Sequence, residues 1–164
     1  MPIYMKVPGV EGTGTGKYKG WIELQSAQLG VNRRMVSPTG QGANKEASVP
    51  PVSEIVVTKS VDVASPDLFR LALSGEGKKV IIDFVKDDDP SQMYLSLELE
   101  NTLISNYSTG GHAGDNYSRP MEFLSLNFTK VTYSAKPVQS STDPKHVKDR
   151  AGWNLATGGA TATK

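Results

Sequence analysis

The stretch "MYLSLELENTLISNY", residues 93–107, decides the fold. Met93, Leu95, Leu97 and Leu99 fall on one face, and Tyr94, Ser96, Glu98 and Glu100 on the other. Successive side chains of a strand leave on opposite faces, so this strict alternation is a strand signal. The flanks repeat it. The polar turn "DDDPSQ" at 87–92 joins this strand as a hairpin to "KKVIIDFVK", where Val80, Ile82 and Phe84 oppose Ile81, Asp83 and Val85. Further out, "IYMKV" places Ile3, Met5 and Val7 together, and "GWIELQSAQLGV" follows a Gly/Thr-rich connection at 9–16. "SEIVVTKSV" is dense in β-branched residues, and "PMEFLSLNFTKVTY" reads as one long strand bent or bulged near its middle. Strands of this kind in a 164-residue chain predict one mostly-β domain, a sandwich or barrel, over residues 1–155.

Three segments break the pattern. Residues 32–52 form a polar loop with Gly40, Gly42, Pro38, Pro50 and Pro51, far longer than an ordinary connection and therefore expected to be functional or mobile. Residues 107–118 read as a shorter Gly-rich loop. Residues 156–164, "ATGGATATK", are a low-complexity tail expected to be disordered.

One helix interrupts the strands at "SPDLFRLALSG", 65–75. Ser65 is a natural N-cap, Pro66 suits the first helical position, and Asp67 complements the positive end of the helix dipole. Gly75 and Gly77 supply the stop. So short a helix is not stable alone and must be held by packing. Projected at about 100° per residue, Leu68, Phe69, Leu71, Ala72 and Leu73 span an apolar arc of about 200°. That is wider than one core requires. Leu68 and Ala72 are expected on the inward side and Leu71 or Leu73 nearer a second body, with deeper burial inside one subunit as the alternative.

Composition excludes several classes of function. Eighteen Lys and Arg stand against 17 Asp and Glu, which points away from bulk nucleic acid as a partner. No Cys is present, so disulfides, thiolate zinc ligation and thiol catalysis are ruled out. No apolar run approaches a membrane span, and "MPIYMKVPGVEG" lacks a signal-peptide pattern.

Motifs that could carry chemistry are weak. "GTGTGKY" lacks the first Gly of a Walker loop, has Tyr18 where Ser or Thr belongs, and precedes no helix. "DDDP" lacks the spacing of a calcium loop. Only His112 and His146 exist, and His112 with Asp115 is too sparse for a metal site or hydrolytic centre. The basic clusters "NRRM" and "KHVKDR" carry no stacking aromatics and read as solvated faces or subunit contacts. The sequons at Asn106, Asn116 and Asn127 matter only in a eukaryotic secretory route. Trp21 and Trp153 read as core covers or interface anchors. No catalytic, cofactor or metal site is expected, and the pattern leans towards binding or assembly.

Taken together, "KGWIEL", "SEIVVTKSVDVASPDLF", "GEGKKVIIDFV", "YLSLELENTLISNYS", "RPMEFLSLNFTKVTY" and "GWNLATG" resemble the haemolysin-coregulated protein (Hcp) family, the tube subunit of bacterial type VI secretion systems. The resemblance implies a two-sheet β-barrel with one helix on its side, like phage tail-tube subunits. It implies hexameric rings stacked into a hollow tube, capped by a VgrG-type spike and surrounded by a contractile sheath. Sheath contraction would expel the tube from the cytoplasm without a signal peptide, with effectors in its lumen, and no membrane insertion is involved. The family's extended loop corresponds to residues 32–52. Asn32, Arg33, Arg34, Asn44, Lys45 and Glu46 are therefore candidate interface residues alongside Leu71 and Leu73, and Trp21, Leu68, Ala72 and Trp153 candidate core. Relatives often show Arg-Glu where Asn44-Lys45-Glu46 stands, so no particular salt bridge carries over. With nine residues after Leu155, the toxin domain some members carry is not expected. The alternatives are a prophage tail-tube subunit, a monomeric ligand-binding barrel and, more remotely, a hydrolase on a β scaffold.

Overall fold

The computed structural model describes residues 1–32, 52–87, 89, 92–113, 119–135 and 150–161. Among these residues it is mostly β with one α-helix. The first sheet contains β1 (Ile3–Lys6), β2 (Ile22–Leu24), β5 (Lys78–Val85), the first part of β6 (Met93–Gly110), β8 (Lys130–Ala135), β9 (Arg150–Asn154) and β10 (Gly159–Thr161). Its order is β10-β9-β8-β6-β5-β1-β2. The second sheet contains β3 (Ser26–Gln28), β4 (Ile55–Ser60), β7 (Met121–Asn127) and the second part of β6. Every pairing is antiparallel.

The opening stretch belongs to β6, 18 residues long and shared by both sheets. Its residues pair with β5 and β8 as far as Thr102 and with β7 from Leu103 onward. The crossing occurs at Asn101, whose φ of 50° is left-handed, a region Asn tolerates better than most residues. Gly77 makes room there, because a Cβ on it would lie 2.0 Å from the Asn101 Oδ1. The irregularity flips the alternation. Leu97 and Leu99 face the core before it, and Thr102 and Ile104 after it. A second register shift between Ile104 and Asn106 turns Tyr107 inward again.

Two other runs also divide. "GWIELQSAQLGV" separates at Gln25 into β2 on the first sheet and β3 on the second, with Gln25 donating its backbone N–H to the Thr58 carbonyl at 2.8 Å. "PMEFLSLNFTKVTY" is two strands rather than one, because Phe128 and Thr129 carry the chain between sheets. The sheets thus wrap a common core with open rather than closed strand pairing. That core contains Met5, Ile22, Ile55, Val57, Ile82, Leu99 and Leu124, all fully buried.

Residues 156–161, expected to belong to a disordered tail, form an ordered hairpin with β9, and 162–164 lie outside the described residues. Asn154 Oδ1 accepts the N–H groups of Ala156 and Thr157, at 2.9 and 3.2 Å. Gly158 at φ 64° completes the turn, and β10 returns along β9. A short polar side chain and one glycine suffice for the hairpin.

The glycine-rich connection is equally ordered. Gly12 and Gly14 donate to the Gly20 and Trp21 carbonyls at 3.0 and 2.8 Å. A Cβ on Gly12 would sit 2.2 Å from the Trp21 carbonyl oxygen, so only glycine permits the approach. This fold-back lays Tyr18 on the first sheet's outer face, stacked on Tyr4 at 4.5 Å and edge-on to Trp21 at 5.0 Å. Tyr18 and Ser96 donate to buried Asp83 at 3.2 and 2.7 Å. Burial and the Asp83 carboxylate raise the Tyr18 pKa well above its ordinary value.

Helix α1 (Ser65–Ser74) starts differently from the sequence expectation. Ser65 is inside the helix, and Ala64 at the N-cap position makes no capping bond of its own. Instead Asp62 Oδ1 accepts the Ala64 N–H, and Ser65 Oγ reaches back to the Asp62 N–H, both at 2.9 Å. This is a reciprocal capping arrangement three residues upstream. Gly75, left-handed at φ 65°, ends the helix and donates to the Leu71 carbonyl.

Candidate functional site and assembly surfaces

Lys59 and Glu122 occupy core-facing positions on adjacent strands. Lys59 shares the inward phase of β4 with Ile55 and Val57, and Glu122 that of β7 with Leu124 and Leu126. The register sets them opposite each other. They are 0% and 1% exposed. Lys59 Nζ donates to Glu122 Oε2 at 2.7 Å, to Asp62 Oδ1 at 2.8 Å and to the Ser60 carbonyl at 2.8 Å, with Ser65 Oγ at 3.2 Å. Tyr107 donates a short bond to Glu122 Oε1. An ammonium has three N–H donors, so this one is saturated.

Burial alone would push the Glu122 carboxyl up. Bonds from Lys59, Tyr107 and Ser65 outweigh it and hold the group below the usual carboxylate range. Burial, then the bond to Glu122, raise the Tyr107 phenol. A saturated ammonium with no open approach suits neither nucleophilic nor acid–base chemistry. What the cluster does is fasten the turn before α1 to β4, β6 and β7.

The residues singled out from sequence fall in several places. Leu68 is fully buried. Leu71 is half-buried against the core, beside Met5 and Val7, and Ala72 is half-buried. Leu73 is 73% exposed. Trp21 is half-buried over Tyr18, and Trp153 half-buried against the core. Asn32 is exposed, and Arg33, Arg34, Asn44, Lys45 and Glu46 lie outside the described residues. So do Asp115 and His146, while His112 is exposed. No described helix is long and apolar enough to cross a membrane.

Two surfaces stand out. Along α1 and the turn before it, Val63, Phe69 and Leu73 are 67%, 51% and 73% exposed, with the Phe69 ring edge-on to Tyr107 at 5.5 Å. The outer faces of the sheets also differ in charge. The first carries ion pairs, Lys79–Glu98 at 3.1 Å and Lys130–Glu100 at 2.9 Å. The second presents Gln28, Val56, Thr58, Ser60, Phe123, Ser125, Asn106 and Ser108, all uncharged, with Glu54 at one end held by Asn127 at 3.1 Å. The sequence missed Lys59, Glu122 and this contrast. The signal was available, as a Lys and a Glu in the apolar phase of two strands.

Solved structures share this architecture. A structure described as a type six secretion system protein superposes with a TM-score of 0.86, at 22% identity, covering 98% of this chain and 99% of the other. Hcp1 from Salmonella typhimurium superposes with a TM-score of 0.76, also at 22% identity and covering 98% of each chain. The fold is therefore that of type VI secretion Hcp proteins. The family model "Type VI secretion system effector, Hcp" matches residues 4–134, and the chain belongs to the Hcp family. Protein hcp1 of Pseudomonas aeruginosa is 28% identical over 106 residues, 63% of this chain and 64% of that protein's length.

Proposed function

We propose that the chain is a tube subunit: six copies close a ring, and rings stack into the inner tube of a type VI secretion system. The observation that carries this reading is the family match from residue 4 to 134. The geometry is compatible with it. A closed ring needs two different patches on each copy that complement each other head to tail. Among the described residues β3 and β10 each pair on one side only, which leaves backbone groups able to pair with another chain. Val63, Phe69 and Leu73 offer exposed apolar area on α1 and the turn before it.

The tube's partners in this reading are a VgrG-type spike at its tip, the sheath around it and effectors inside it. The subunit resides in the cytoplasm before firing and leaves the cell with the tube. The uncharged outer face of the second sheet suits the bore, where cargo must be held and then released. Light scattering with electron microscopy of the purified protein tests the assembly. Rings with a central hole are expected, and a monomer at every micromolar concentration would overturn the reading.

A further inference from the structure

We infer that the buried Lys59–Glu122 pair is an acid-released latch that fastens α1 to the second sheet, so that the helix detaches as a unit while the strands stay folded. The geometry makes α1 separable. Along its length Leu68 is fully buried, whereas Phe69 and Leu73 are exposed and Leu71 and Ala72 half-buried. Its C-terminal end runs into Gly75, Glu76 and Gly77, all exposed. Its N-terminal end depends on Asp62 and Ser65, the two residues that close the first turn. Both also contact the Lys59 ammonium. The element's start and the ion pair are therefore one structure.

The groups facing the pair are few. Lys59 comes from β4, Glu122 from β7, Tyr107 from β6, Asp62 from the turn and Ser65 from α1 itself. The helix's own Asp67 and Arg70 pair with each other at the surface, at 2.9 Å. Two carboxylates oppose one ammonium. One proton leaves the pair balanced, and a second strands the charge of Lys59 in a dry site. A buried unpaired ammonium is far costlier than a hydrated one, so the site opens to water. The turn that opens is the one carrying Asp62 and Ser65. The Glu122 carboxyl sits below its ordinary range, so the release lies on the acid side of that range.

Hydrogen exchange followed by mass spectrometry tests this on the full chain. Protection factors are compared for 61–74 and for the strands 78–85 and 95–104, at about pH 7, 5 and 3.5. In the unmodified protein, 61–74 should keep its protection through the ordinary carboxylate range and lose it only on the acid side of that range, with the strands still protected. Glu122→Gln leaves Asp62 as the single counterion of Lys59, so 61–74 should stay protected at neutral pH but lose its protection at a distinctly higher pH than the parent, with the strands unchanged. Helix and strands losing protection together, or Glu122→Gln matching the parent, would overturn the latch. If Glu122→Gln does not fold, the triple variant Lys59→Met, Asp62→Asn and Glu122→Met removes all three charges at once. Its helix protection should then be flat with pH, and an acid loss like the parent's would refute the proposal.

Discussion

Lys59 shows how one residue can be costly in isolation and harmless in company. Its four contacts lie within 3.2 Å, and its side chain is out of water. Lys59→Ala leaves Asp62 and Glu122 unpaired in the same dry site, so it should destabilise the fold by about 3–5 kcal/mol in urea unfolding. Tyr107→Phe is gentler. It removes one bond to an ionised group, a loss of about 1.5–3 kcal/mol. It also moves the acid limit in a definite direction. The folded-state pKa of Glu122 is depressed, so its stabilisation is present above the ordinary carboxylate range and lost as pH falls through the folded value. Without the Tyr107 donor that value rises towards the unfolded one, so the window of acid loss narrows from below and ends at higher pH, with less stability lost across it. A pH series of urea midpoints reads this directly. Neither role was legible from composition or motif, because charge in a strand's inward phase reveals a partner only when the register across β4 and β7 is known.

At the level of elements, the sequence exposed periods but not the places where they switch. Alternation located the strand at 93–107 and the apolar face through Leu99. It could not show that Asn101 and the shift near Asn106 hand the strand from one sheet to the other, since both are local backbone events. Gln25 and Phe128–Thr129 hid the same kind of transfer, because an apolar phase continues across a corner when both sheets face one core. The glycine-rich connection was misleading in the opposite sense. A run of Gly and Thr suggests flexibility, but Gly12 and Gly14 are small so that backbone can lie against backbone. Gly12→Ala should therefore push the Trp21 carbonyl away and cost about 1–3 kcal/mol. A fall of several degrees in Tm should accompany it, with Tyr18 fluorescence reporting a loosened aromatic stack. If Tm is unchanged, the loop does not hold Tyr18 over Asp83 in solution.

For the whole molecule the question is which surfaces meet other copies. The wide apolar arc of α1 was read from sequence as a sign of two bodies, and the structure divides it. Leu68 and Leu71 belong to this chain's own core, while Phe69 and Leu73 face outward beside Val63. The residues that face outward therefore contribute little to the stability of one subunit, and a charge at Leu73 should leave the monomer fold within about 0.5 kcal/mol of the parent. The same charge at a subunit contact would be buried without a counterion, with a cost repeated at every contact around a closed ring. If the proposed ring forms through this face, Leu73→Asp should give a folded monomer at concentrations where the parent assembles, by light scattering and thermal melts run side by side. Rings that persist with Leu73→Asp would place α1 on an outer wall, away from neighbouring subunits, and would move ring closure to the free edges of β3 and β10. A charge at Phe123 separates the remaining surface: it should leave ring assembly intact if the uncharged face lines the bore, and abolish it if that face meets a neighbour.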